Sequence, residues 1–158
     1  MTEIRINGWT IYLDALFLAQ YQELMQGVSK AREMDPLNYE HKRVTKLFAA
    51  TRKLIFEDIP TNPADARFRQ GNTLGEAYKH WFRAKYFQQY RIFFRFGEEE
   101  KVIVYAWMND ESTKRAYESK TDAYRVFRRM LDRGNPPDDW ADLLKEAKAA
   151  TEAYKGRL

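Results

Sequence analysis

Residues 81–107 hold three strand-like runs, "WFRAKY" (81–86), "YRIFFRF" (90–96) and "KVIVYAW" (101–107), separated by only three and four residues. Connections that short cannot carry the chain back for parallel pairing, so the runs read as an antiparallel sheet. Alternation then divides the side chains between two faces. Trp81, Arg83 and Lys85 share one face of the first strand, with Phe82, Ala84 and Tyr86 on the other. In the second strand Arg91, Phe93 and Arg95 oppose Tyr90, Ile92, Phe94 and Phe96. One face reads as a core surface and the other as a cationic panel studded with rings. The third run is almost continuously apolar, as a central strand is.

Helices flank this sheet in the sequence. "WTIYL" (9–13) reads as a short strand, and Asp14 as the cap of a helix whose stripe is Phe17, Tyr21, Leu24, Met25 and Val28. Asp35 and Pro36 predict the start of a second helix, with Val44, Leu47, Phe48, Leu54 and Ile55 on one side and a stop before Pro60. Residues 58–80 read mostly as loop. A third helix is expected from Asp122 to the capping Gly134, and a last one carries Trp140, Leu143, Leu144, Ala147 and Tyr154. The order β-α-α-β-β-β-α-α makes an α+β fold, an antiparallel-rich central sheet with two N-terminal helices packed on it and two C-terminal helices. A chain of 158 residues is expected to form one domain spanning 1–158.

The composition removes several classes of function. No apolar run approaches bilayer length, and the N-terminus lacks the layout of a signal peptide, so a cytoplasmic protein without membrane contact is expected. Cysteine is absent, and His41 and His80 stand in no ligand-spaced motif, so no metal site is expected. Neither a phosphate-binding glycine loop nor a nucleophile elbow is present, and no cofactor is expected.

The net charge is only +4, yet its distribution is uneven. Residues 67–95 carry seven Lys or Arg against Glu76 alone, whereas the segments on either side each carry one more acid than base. Charge concentrated in this way suggests a polyanionic partner. Arginine holds phosphate bidentately, and rings such as Trp81 and Phe93 suit stacking on unpaired bases. The competing reading is a sheet solubilised by arginine, with its rings covered by a helix. Arg125, Arg128, Arg129 and Arg133 add a basic stripe on the third helix, either a solvated face or an extension of a phosphate track.

Ordered motifs along nearly the whole chain carry a resemblance. They are "NGW" (7–9), "DPLNY" (35–39), "FRQGNTLG" (68–75), "WFRAK" (81–85), "YRIFFRF" (90–96), "EKVIVYAWMNDESTKRAY" (100–117), "KTDAYRVFRRMLDRG" (120–134) and "PPDDW" (136–140). With these the chain resembles the YhaV toxins of bacterial type II toxin–antitoxin systems, within the wider RelE-like group of small ribonucleases. The resemblance implies a RelE-like fold and an endoribonuclease that cleaves mRNA, with or without the ribosome, to halt translation. It implies a PrlF-like antitoxin with a swapped-hairpin DNA-binding domain, and contact with operator DNA only through the antitoxin complex. The chain is longer than the smaller RelE-like toxins, closing with two helices instead of a short tail.

RelE-like toxins use a sheet face lined with Arg and Lys and no metal, and Arg83, Lys85 and Arg91 match that pattern. Metal-free cleavage has the 2′-hydroxyl attack the neighbouring phosphate. It needs a base, an acid for the leaving 5′-oxygen, and cations for the phosphorane oxygens. Arg83 and Arg91 are expected to stabilise the phosphate, and Lys85 is the candidate base if nearby cations lower its pKa. Tyr124 and Lys120 are candidates for the acid, in competition with Arg115 and Tyr117. Arg69, Trp81, Phe93, Arg95, Arg115 and Arg128 are expected to bind RNA. A non-catalytic RNA-binding module, or a docking protein for an acidic chain, would use the same panel.

Overall fold

The computed structural model describes residues 3–110, 122–154 and 156–158. Among them lie five strands: β1 (Arg5–Ile6), β2 (Trp9–Leu13), β3 (Phe82–Tyr86), β4 (Tyr90–Gly97) and β5 (Val102–Met108). They form one sheet in the order β1-β2-β5-β4-β3. The helices are α1 (Ala15–Met34), α2 (Arg43–Lys53), the single turn α3 (Ile59–Thr61), α4 (Ala123–Asp132) and α5 (Trp140–Ala153). Among the described residues no helix is long and apolar enough to cross a membrane.

The β3-β4-β5 meander is antiparallel as the short connections require, and β5 is the central strand, buried along its whole length. Two features depart from the expected sheet. The β2 strand pairs with β5 in parallel, Ile11 opposite Ile103, so the sheet is mixed. A short β1 also pairs antiparallel with β2 through a two-residue loop at Asn7 and Gly8, both with positive φ. Asn-Gly is the strongest short hairpin signal.

The second helix also differs from expectation. Asp35 closes α1, its N–H bonding the Ala31 carbonyl, and does not open a new helix. Leu37 is 90% exposed, and the segment after Pro36 forms only a single 3-10 turn, Tyr39–His41, with no buried residue, so α2 begins only at Arg43. At its far end α2 itself stops at Lys53, but the helical path runs on past Pro60. A π-helical turn, Leu54–Asp58, intervenes, and Pro60 falls at the start of α3, where a missing N–H costs little.

Both faces of the sheet are covered. Phe17, Leu18 and Tyr21 of α1, with Phe48 of α2, pack against Ile11, Ile92, Phe94, Ile103 and Tyr105. Tyr124, Phe127 and Leu131 of α4, with Leu143 and Ala147 of α5, pack against Trp81, Phe93, Val104 and Trp107. Asp122 caps α4 by accepting from the Tyr124 N–H at 3.1 Å, and Asp139 caps α5 from the Asp142 N–H at 3.0 Å. The face read as a cationic panel is therefore a second core with arginines at its margin.

Candidate active site

Strand register builds the site. Arg83 lies opposite Phe93, and Lys85 opposite Arg91, on the face beneath α4. A bulge between Phe93 and Phe94 sets Trp107 opposite Phe93, and these rings stack at 5.9 Å. Phe127 stacks on Phe93 at 4.4 Å, and Tyr124, one helical turn earlier, meets Phe93 edge-on at 5.5 Å. This ring stack fixes the first turn of α4 over the arginines.

The Tyr124 hydroxyl accepts from Arg83 Nε at 2.8 Å and from Arg91 Nε at 3.3 Å. Arg83 Nη1 donates to the Arg67 carbonyl at 2.8 Å. Arg91 Nη1 donates to the carbonyls of Gln88 (2.7 Å) and Tyr90 (2.9 Å). Asn109, just past β5, accepts from the Arg91 N–H at 2.6 Å and donates to the Gln89 carbonyl at 2.9 Å. Arg83 is 9% exposed and Arg91 7%. Among the described residues neither forms an ion pair, and the Nη2 of each has no protein acceptor. Two nearly buried guanidiniums drawn to one phenol, with no carboxylate paired to either among the described residues, carry a desolvation cost that an anion would offset.

The other expected site residues divide into groups. Lys85 is exposed at the same end of the hairpin as Arg91. Arg69 and Arg128 are also exposed, and the Arg128 guanidinium lies 3.4 Å from where a Cβ would stand on Gly75. Trp81 and Phe93 are corrections: both are fully buried and offer no ring to a base. Trp81 packs edge-on against Phe127 at 5.1 Å and donates its Nε1 to Asp138 at 2.7 Å. Alternation set both rings on the correct face, but α4 covers that face.

Arg95 lies between Trp81 and Trp140, 5.6 and 5.2 Å from their centres, and donates to the Asp138 carbonyl at 2.5 Å. Burial pulls its guanidinium pKa below the ordinary value, and these contacts tie the sheet to the start of α5. Arg115, Tyr117 and Lys120 lie outside the described residues.

Two organising residues escaped the sequence reading. Asn109 clamps the Arg91 backbone, and its only signal was a polar residue directly after an apolar strand. The buried Gln70 accepts from the Leu74 N–H at 3.1 Å and donates to the Tyr78 carbonyl at 2.9 Å, shaping the loop whose residue Gly75 meets Arg128.

The profile of a family described as a toxin with endonuclease activity, of a toxin–antitoxin system, matches residues 11–148. The chain is 47% identical over 146 residues to a ribonuclease toxin YhaV of Escherichia coli K12, covering 91% of this chain and 95% of that protein. A toxin YhaV of Escherichia coli O157:H7 matches equally, at 47% over the same length. No solved structure matches the chain. With a family profile over most of its length and relatives this close, the chain belongs to the YhaV family of toxins with endonuclease activity.

Proposed function

We propose that this chain is an endoribonuclease toxin that cuts mRNA at the Arg83–Tyr124–Arg91 cluster, with the arginines supplying the positive charge that the reaction needs. The observation that carries this reading is the pair of nearly buried guanidiniums, free of any ion pair among the described residues, held 2.8 and 3.3 Å from one hydroxyl. The RNA 2′-hydroxyl attacks the adjacent phosphorus and gives up its proton to Lys85, the proposed base, which acts in its neutral amine form. The bond from phosphorus to the 5′-oxygen breaks, that oxygen takes a proton, and a 2′,3′-cyclic phosphate remains. Arg83 and Arg91 face the phosphorane oxygens with their Nη2 groups, a charge-compensating role suited to a cation that never deprotonates.

Tyr124 accepts from both Nε groups, so its first task is to hold the two forks in place. It also stands in the site as the donor for the 5′-oxygen, a role shared in expectation with Lys120. Arg69 and Arg128 are proposed to guide the flanking RNA. The five-stranded sheet with paired helices supports grouping the chain with RelE-like toxins. A PrlF-like antitoxin that carries the complex to operator DNA, action on the ribosome and a cytoplasmic location follow from the family resemblance.

The test expresses the chain alone and beside its neighbouring antitoxin gene, and incubates the purified protein with a transcript in chelator. Growth arrest relieved by the antitoxin, and cleavage leaving cyclic phosphate ends, are the expected results. Harmless expression of soluble protein, or cleavage abolished by chelator, would overturn this reading.

A further inference from the structure

All three hairpin loops of this sheet hold a residue of positive φ, Lys101 (φ 56°) in the β4–β5 loop among them, and the other two make opposite residue choices. The β1–β2 loop uses Asn7 (φ 52°) and Gly8 (φ 83°), residues that such a turn favours. The β3–β4 loop, closed by the Tyr86–Tyr90 pair, uses Phe87 (φ 45°) and Gln88 (φ 61°). A bulky aromatic residue in the left-handed region is an outlier. Such strain persists only where the surroundings impose it, and it collects at functional sites. Here Arg91 Nη1 holds the Gln88 carbonyl at 2.7 Å, and Asn109 Nδ2 holds the Gln89 carbonyl at 2.9 Å. The Arg43 guanidinium lies 5.7 Å from the centre of the Phe87 ring. The strained tip is thus bonded directly to one of the two clustered arginines.

We propose that Phe87, Gln88 and Gln89 read the base beside the phosphate held by Arg83 and Arg91, making this hairpin tip the sequence-specificity element of the nuclease. The inference rests on assigning cleavage to that arginine pair. Gln88 and Gln89 are exposed, and a primary amide both donates and accepts, which suits the edge of an unpaired base. Phe87 is half-buried, with a ring of the kind that stacks on bases. Arg91 uses Nη1 to fix the tip, while its Nη2 has no protein acceptor among the described residues. One guanidinium therefore sets the spacing between base reader and phosphate. A turn serving only to reverse the chain would gain from Asn-Gly, which the β1–β2 hairpin already uses.

The test maps cut positions in a randomised transcript pool, in a translating extract where free and ribosome-bound RNA are both present. Wild type is compared with two variants, Phe87→Asn with Gln88→Gly, and Gln88→Ala with Gln89→Ala. The first relieves the φ strain but gives up the contacts of the Phe87 ring with Tyr86, Tyr90 and Arg43, so its melting is measured as the folding control. In both, cutting at preferred sites relative to other sites should fall about fivefold or more, the scale of one lost base-edge contact. An unchanged site profile, or loss of cutting at every site in both variants, overturns the proposal. If the first variant fails to fold, the profile of the second decides, since it leaves Phe87 and the backbone untouched. Arg83→Ala in the same assay separates the two levels. Full cleavage there removes the arginine assignment, whereas its loss beside an unchanged tip profile removes the specificity role alone.

Discussion

Arg83 holds the hydroxyl of Tyr124 with its Nε at 2.8 Å, joining an edge strand of the sheet to the first turn of α4. This bond orients the guanidinium and leaves its Nη2 for an anion. Arg83→Ala should reduce cleavage by about two to three orders of magnitude, the usual cost of removing one transition-state donor. Arg83→Lys should recover little, because lysine keeps the charge and loses the planar fork. Cleavage rates of both variants on one RNA, with circular dichroism as the folding control, check this. Near-wild-type rates for Arg83→Ala would return the residue to a structural role.

Tyr124→Phe removes the acceptor shared by two buried guanidiniums. Stability should fall by about 1–3 kcal/mol, the cost of leaving buried donors without a partner. Activity should fall through kcat as the arginines lose their alignment. The pH–rate profile separates the two roles of the phenol. Loss of the alkaline limb marks Tyr124 as the acid, whereas an unshifted profile marks it as a positioning residue.

Phe93 stacks on both Trp107 and Phe127, which also stack on each other at 5.6 Å, and is fully buried. Phe93→Ala should cost about 3–5 kcal/mol in chemical denaturation, as for other large core truncations. Phe93→Leu should fold and still cleave, because the ring meets no base. Loss of RNA affinity in a folded Phe93→Leu protein would contradict this placement.

The buried Asp14 and the half-buried Glu146 face each other between the start of α1 and α5. Neither Asp14 oxygen finds a donor among the described residues, nor does Glu146 Oε2. Burial, and then the facing Glu146, push the Asp14 pKa up to about 8. The folded value lies above the unfolded one, so the native state holds a proton that the unfolded chain releases. The stability contribution of Asp14 is therefore complete below the unfolded value near 3.8 and is lost as pH rises toward about 8. Asp14→Asn should gain stability over wild type as pH rises from about 5 to about 9, a difference readable by thermal melting. A constant difference across that range would show that the pair does not share a proton.

Local periodicity carried much of this protein. Short turns between apolar runs made the β3-β4-β5 meander legible, and alternation set Arg83, Lys85 and Arg91 on one face beside Trp81 and Phe93. Asp122 and Gly134 bounded α4 because caps are chosen by backbone chemistry within a few residues. Asp35 and Pro36 carried the same local signature and misled. The segment after them has no core to pack against, and helix starts need packing as well as a cap.

What covers each face was decided only by tertiary structure. The parallel pairing of Ile11 with Ile103 joins distant parts of the chain and leaves no local signature. Docking α4 on the cationic face turned Trp81 and Phe93 from expected base-stacking rings into core, and brought Tyr124 between Arg83 and Arg91. Alternation states which side chains share a face. Whether that face meets solvent, a helix or a ligand depends on the free energy of burying it against an element elsewhere in the chain, and no local pattern contains that term.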